Sequence, residues 1–358
     1  MRELVVVVGT RPEIIKMAPV IRAAEGTFDR YLVHTGQHYD AEMSGAFFEA
    51  LDLPAPDENL EIGSGTQGEQ TADGLVGVER LLLERDPAAA VALGDTNAVL
   101  STALAASKLS TTFGHVEAGL RSFDRSMPEE VNRVVADHVA DLSFAPTGQA
   151  VANLAEEGVT DGVHETGNTI VDACREHAPL AAERSAVLER FDLEGCYAAA
   201  TIHRASNTDD PERLRAIMDA LDGASAPVVL PAHPRTRGVL DEIGYEPSGS
   251  LRLVEPLDYL DFLKLLDAAR VVVTDSGGIQ EEASILEVPC LTVRPNTERP
   301  ETVEAGVNEL VEPGELGARL DALLTDDDAH DAMTGHPDLY GDGRAGERIV
   351  DALAAEFD

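Results

Sequence analysis

Three carboxylates stand at or just beyond the ends of apolar runs: Asp95 in Leu93-Gly94-Asp95-Thr96, Glu117 in His115-Val116-Glu117-Ala118-Gly119, and Glu129 in Pro128-Glu129-Glu130. Glu117 ends an apolar stretch and precedes Ala-Gly, a costly place for a charge without partners or a task. Arg121 and Arg133 are the candidate partners. Carboxylates brought together repel, which raises at least one pKa toward the range useful for general acid–base work. Plainer readings stay open beside this one. Asp95 can cap a helix with Thr96, and Glu129 can simply favour the N-terminus of its helix.

A second set of residues could hold an anion. Gly9-Thr10-Arg11-Pro12-Glu13-Ile14-Ile15-Lys16 follows the apolar run Leu4–Val8 and opens a helix, with Pro12 suited to its first turn. Arg11 and Lys16 thus stand at a helix mouth whose N–H groups already favour negative charge. Only three of the 27 basic residues are lysines, so Lys16 asks for an explanation. This is neither a Walker pattern nor a dinucleotide fingerprint, since Gly9 lacks glycine partners at the required spacing.

His203-Arg204 follows a strand, His233 lies in Pro231-Ala232-His233-Pro234 past another, and Arg299 sits in Glu298-Arg299-Pro300. The turn Asp275-Ser276-Gly277-Gly278 lets backbone approach closely at a helix mouth, with Ser276 either a donor or only a cap. Glu282, one turn on, is placed to accept from ribose hydroxyls. No two histidines have metal-binding spacing and no cysteine joins them, so no catalytic metal is expected. Cations with helix mouths stabilise a departing diphosphate, while carboxylates move a C–H proton. Together they point to elimination chemistry on a nucleotide sugar.

Positioning these groups requires strand ends. Apolar runs at 4–8, 31–34, 89–93, 112–116, 142–144, 198–202, 227–230, 251–254, 271–274 and 290–293 alternate with helical patterns such as 69–84, 98–108, 129–137, 211–221, 258–267 and 279–286. This is the grammar of α/β parallel sheets covered on both faces. The alternation pauses between Gly167 and Phe191, where 168–176 and 180–190 read as two helices. A boundary there gives a Rossmann-like domain over 1–167, joined by a final helix within 344–358, and a second over 168–343. Residues 53–68 read as a long loop. Two such halves leave a cleft where C-terminal strand ends face each other, the usual ligand position in α/β sheets.

Composition narrows the rest. A net charge of -39 argues against nucleic-acid and anionic-membrane partners. Apolar residues at 44% in regular runs exclude general disorder, and many acids with few lysines and no tryptophan fit a salty cytoplasm. Cys174, Cys196 and Cys290 read as buried thiols in a reducing compartment. The N-terminus does not read as a signal peptide and no stretch is long enough to span a bilayer, so a soluble cytoplasmic protein is expected.

Taken as a set, Gly-Thr-Arg-Pro-Glu at 9–13, His34-Thr35-Gly36-Gln37-His38, Gly94-Asp95-Thr96, His115–Arg121, Pro128–Arg133, Thr274–Glu282 and Thr297–Pro300 closely resemble the non-hydrolysing UDP-N-acetylglucosamine 2-epimerases. The resemblance covers nearly the whole chain in order. It implies the GT-B fold, a UDP-sugar substrate, a homodimer and no redox cofactor. It also implies that UDP leaves as the C2 proton is removed, giving a 2-acetamidoglucal, and then re-adds after proton return to the other face. By position, Asp95, Glu117 and Glu129 match the acids needed at the sugar, and His203 a histidine needed near the diphosphate. Arg11, Lys16, Ser276, Gly277, Gly278 and Arg299 correspond to diphosphate contacts, with Arg133, Arg204 and His233 counted among the binding residues. Glu282 corresponds to a ribose contact, and Leu257 and Phe262 to uracil contacts.

The chain departs from bacterial members at two places. Ala205-Ser206-Asn207 lacks a carboxylate usual after His-Arg, and Glu69 precedes Gln70 where those members carry an arginine for a second, activating substrate molecule. No activator site is therefore expected. Four other readings share many of these features: an epimerase of UDP-diacetamido-glucuronate, a hydrolysing relative, a GT-B glycosyltransferase, and a non-catalytic UDP-sugar sensor.

Overall fold

The apolar runs become the strands of two parallel sheets in a computed structural model that describes residues 1–36, 41–335 and 338–357. Gln37 and His38 of the second motif lie outside the described residues. One unit comprises Met1–Glu176 with Tyr340–Asp358, the other His177–Leu339. The division falls within the helix Thr169–Arg184. The two helices expected at 168–176 and 180–190 are this one helix and a short one, Val187–Arg190. Pro179 removes one hydrogen bond without ending the helix.

The first unit carries β1 Glu3–Val8, β2 Asp29–His34, β3 Glu58–Asn59, β4 Ala89–Leu93, β5 Thr112–Val116, β6 Leu142–Ala145 and β7 Val163–Glu165. They pair in the order β3-β2-β1-β4-β5-β6-β7, all parallel. Buried valines, leucines and alanines fill β1 and β4, as strands covered on both faces require. The final helix, Ala345–Ala355, packs on the helix Arg11–Ala23. Gly346 permits that approach, since a Cβ there would lie 2.8 Å from the Pro19 carbonyl carbon.

The second unit carries β8 Ala198–Thr201, β9 Val228–Pro231, β10 Leu251–Val254, β11 Val271–Thr274, β12 Cys290–Thr292 and β13 Asn308–Leu310, in the order β10-β9-β8-β11-β12-β13. Three of the thirteen strands among the described residues had no sequence counterpart: β3, β7 and β13. Each is short, polar and at a sheet edge, where one neighbour suffices and no apolar run is needed. The expected loop 53–68 contains β3.

Strand order reverses direction once in each sheet, between β1 and β4 and between β8 and β11. Loops leaving the carboxyl ends of such neighbouring strands part to opposite faces and open a crevice. Gly9–Lys16, Gly94-Asp95, Glu117, His203-Arg204 and Asp275–Gly278 follow β1, β4, β5, β8 and β11, while His34 ends β2 and His233, Leu257 and Arg299 follow β9, β10 and β12. Cys174 and Cys290 are buried as expected, but Cys196 is exposed. It lies between the helix Val187–Arg190 and β8, where its thiol meets the Leu324 carbonyl at 3.7 Å. No helix among the described residues is long and apolar enough to cross a membrane.

Candidate active site

The first unit gathers its carboxylates at the switch point. Glu117 follows β5 with φ 68°, a left-handed conformation costly for a side chain with a Cβ. It is buried, and its Oε1 accepts from Lys16 Nζ at 2.6 Å. Its Oε2 lies 3.7 Å from where a Cβ on Gly94 would stand, beside Asp95. Asp95 in turn accepts from Arg133 Nη2, and Asn132 Nδ2 donates to its carbonyl at 2.9 Å. Glu129 opens the same helix, Pro128–Val139, exposed and without a hydrogen bond or ion pair among the described residues.

The charge partners differ from those expected. Neither Arg121 nor Arg133 pairs with Glu117. Arg121 is held by Asp137 at 2.7 Å and by Glu157 at 2.8 Å. Arg133 bridges Asp95 and Glu130, the latter at 2.7 Å. Lys16, expected at a diphosphate, supplies Glu117's cation because its helix leaves β1, which is separated from β5 by β4 alone. Arg11 is exposed, with its guanidinium 5.9 Å from the Phe47 ring centre.

Several carboxylates that sequence reasoning passed over hold these loops. Glu13 accepts from Gly9 N at 2.5 Å, from Thr10 N at 2.7 Å and from the Thr96 hydroxyl, so it ties the loop after β1 to the loop after β4. Burial pushes its pKa up to about 7 against those donors. Glu130 accepts from Ser122 N, Ser122 Oγ and Phe123 N, each at 2.9 Å. Thr10-x-x-Glu13 was visible as a capping pattern. Glu130 and Asp137, seven apart on the buried stripe of one helix, were visible as acids where apolar residues belong.

The second unit builds its half around Asp275, which is fully buried after β11. It accepts from His203 N at 3.0 Å, Arg204 N at 2.9 Å and Asn207 Nδ2 at 3.0 Å, and lies 3.3 Å from His203 Nδ1. β8 and β11 run in register, Thr201 against Thr274, so the loops after them meet. His203 and His233 stand with ring centres 6.0 Å apart. Burial lowers the His203 pKa; Asp275 opposes that, and His233 and Arg204 reinforce it. The lowered value favours the neutral imidazole. His233 Nδ1 accepts from Arg235 N at 3.2 Å and caps the helix Pro234–Glu242.

Ser276 heads the helix Gly277–Ile285 without using its hydroxyl as a cap, which leaves that donor with the Gly277 and Gly278 backbone at the helix mouth. Glu282 is buried on the same helix. Arg299 donates to Glu281 at 2.6 Å, and Arg204 lies 3.5 Å from Glu298. Glu298 also takes Arg294 at 2.6 and 2.8 Å, which holds its pKa down to about 2. Leu257 and Phe262 are half-buried against the core of this unit. Among the described residues no three His, Cys, Asp or Glu side chains converge as a metal site.

Two parallel-sheet α/β units with polar groups at both switch points define a protein of the GT-B class. The fold is shared with a glycosyltransferase, Phytolacca americana UGT2, at 13% identity and a TM-score of 0.64. Within that class the chain belongs to the UDP-N-acetylglucosamine 2-epimerase family, whose sequence pattern matches residues 21–354. It is 44% identical to UDP-N-acetylglucosamine 2-epimerase of Methanocaldococcus jannaschii, covering 98% of each chain. The crystal structure of that enzyme with UDP-GlcNAc and UDP matches with a TM-score of 0.86 over 99% of each chain. It is also 41% identical to UDP-2,3-diacetamido-2,3-dideoxy-D-glucuronate 2-epimerase of Pseudomonas aeruginosa, over 98% of this chain and 99% of the relative.

Proposed function

We propose that this protein interconverts UDP-N-acetylglucosamine and UDP-N-acetylmannosamine without hydrolysis. The observation that carries the reading is the strained, buried Glu117 carboxylate beside Asp95 at the switch point of the first sheet. Strain and a buried charge persist where surrounding structure over-determines them, and they concentrate at reacting centres.

A carboxylate takes the C2 proton while the C–H electron pair forms the C1–C2 double bond and the C1–O bond to UDP breaks. The products of that step are a 2-acetamidoglucal and UDP. Delivery of a proton to the opposite face of C2 and return of the UDP oxygen to C1 complete the inversion. Asp95, Glu117 and Glu129 are assigned to the proton, with Lys16 and Arg133 setting the charge around two of them. Lys16 sets a cation 2.6 Å from the Glu117 carboxylate and fixes where its oxygens point. His203, Arg204, Ser276, Gly277, Gly278 and Arg299 are assigned to the diphosphate. There the hydroxyl and backbone donors stabilise the charge that grows as UDP departs. Glu282 is assigned to the ribose, and Leu257 and Phe262 to the base. A neutral His203 can still donate to a phosphate oxygen through one ring N–H.

The test is incubation with UDP-N-acetylglucosamine in deuterated water at molar salt. Deuterium at C2 of a mannosamine product supports the route, and turnover without exchange overturns it. Free N-acetylmannosamine in place of its UDP ester identifies a hydrolysing enzyme instead. Turnover of the diacetamido-glucuronate substrate alone would move the assignment to that sugar. A cytoplasmic homodimer belongs to the same proposal, and light scattering at molar salt checks the dimer.

A further inference from the structure

His115 is completely buried, and the proposed reaction does not use it. Both of its ring nitrogens face acceptors. Nδ1 stands 2.6 Å from Asp137 Oδ1, and Nε2 stands 2.8 Å from the carbonyl oxygen of Gly94. A carbonyl oxygen only accepts. Asp137 is kept ionised by Arg121 at 2.7 Å and by Gly119 N at 3.1 Å, so it too only accepts. Two hydrogen bonds then need two N–H groups, and among histidine's forms only the imidazolium has both.

We infer that His115 is a standing imidazolium and a positioning residue. One nitrogen fixes the Gly94 carbonyl next to Asp95, and the other reaches, through Asp137, the Gly119 amide just past Glu117. Two of the three carboxylates assigned to the C2 proton, Asp95 and Glu117, thereby have their neighbouring backbone held by one charged ring. Asp137 comes from the helix Pro128–Val139, so the element that carries Glu129 is tied in as well.

The charges around the ring support a cation there. Asp137 faces it from that helix and Glu117 from its own strand end, while Arg121 lies beyond Asp137 and is balanced by Glu157. Lys16 is engaged with Glu117, and Arg133 with Asp95 and Glu130. The Phe113 ring stacks on the imidazole, 6.3 Å between centres and 16° from parallel, and excludes water from that side. Burial alone pushes the His115 pKa down, but Asp137, the Gly94 carbonyl and Glu117 together carry it above the ordinary histidine value.

The charge can be tested without reference to turnover; the effect on turnover rests on the proposed reaction. Nitrogen-15 histidine NMR of the full chain, with His115 assigned by its loss in His115→Asn, should show both ring nitrogens protonated at neutral pH. An unprotonated ring nitrogen at neutral pH overturns the imidazolium. His115→Asn and His115→Phe should fold and bind UDP as the parent does, yet lose about 10²-fold in kcat for C2 exchange, because misplacing reacting groups by about 1 Å costs that much. KM should stay within about threefold, as expected when only transition-state geometry is lost. Folded variants with the parent's kcat, or variants that simply unfold, overturn the positioning role. If the parent itself exchanges no C2 hydrogen on any UDP-sugar, the proposed reaction fails while the NMR result still decides the charge.

Discussion

Glu13→Gln isolates the cost of a single buried carboxylate. Glu13 is only 4% exposed, and burial raises its pKa from 4.5 to about 7 despite three donors. In the unfolded chain the group ionises near its ordinary value. Below pH 4.5 both states hold the proton and ionisation adds no penalty. Between pH 4.5 and about 7 the unfolded state releases its proton and the folded state keeps it, so stability falls as pH rises. Above that window the loss is complete and constant. At 1.36 kcal/mol per pH unit the full loss is about 3 kcal/mol. Glutamine is neutral throughout, can accept from the Gly9 and Thr10 amides with its oxygen, and can offer an N–H to Thr96. The assay is denaturant unfolding of both proteins in molar KCl from about pH 5 to about pH 8, following the transition of the first unit. Parent and variant share every other charge, so self-repulsion cancels in the difference. The parent's stability relative to the variant should drop by most of those 3 kcal/mol by about pH 7 and then level. A difference that is flat or rising across that range refutes the reasoning.

Lys16→Met leaves the buried Glu117 carboxylate without its cation and unanchored, and C2 exchange should slow by about 10²-fold; a rate near the parent's would remove Lys16 from the proton chemistry. Asp275→Ala strips the acceptor from two backbone amides and Asn207, so thermal unfolding of the second unit should show a loss of about 3 kcal/mol, together with weaker UDP binding. An unchanged melting curve would contradict it. Glu69 is bound to Thr66 N and Oγ, both at 2.9 Å, as a helix cap, while Gln67 and Gln70 hold Asn97. Rate against substrate should therefore be hyperbolic with no effector, and marked sigmoidality would point to an activator site. With a net charge of -39, stability should climb as KCl rises from dilute to molar, a trend that salt-series melting curves can deny.

Central strands were legible because burial on both faces leaves unbroken apolar runs: 89–93, 112–116 and 271–274 coincide with β4, β5 and β11. The edge strands β3, β7 and β13 carry no such run and stayed hidden, whereas Leu251–Val254 betrayed the edge strand β10. Motifs at strand ends located the carboxylates and the Ser276 turn, since chemistry-bearing residues interrupt patterns that folding alone would continue. Their partners were another matter. Glu117 meets Lys16 across 101 positions of chain, and His115 meets Asp137 across 22. Local pattern does not encode which strands become neighbours, so Arg121 and Arg133 were equally reasonable candidates for Glu117. The His203 protonation state was hidden for the same reason, because it depends on Asp275 and His233 arriving from two other loops.

The helix Ala345–Ala355 completes the first unit, although the entire second unit precedes it in the chain. During synthesis the nascent N-terminal sheet must wait, with Pro19 and its neighbours uncovered, until the chain has been made past residue 355. The inserted unit, by contrast, is contiguous and can mature on the ribosome first. A premature stop after residue 339 would thus spare the later-encoded lobe and cripple the earlier one.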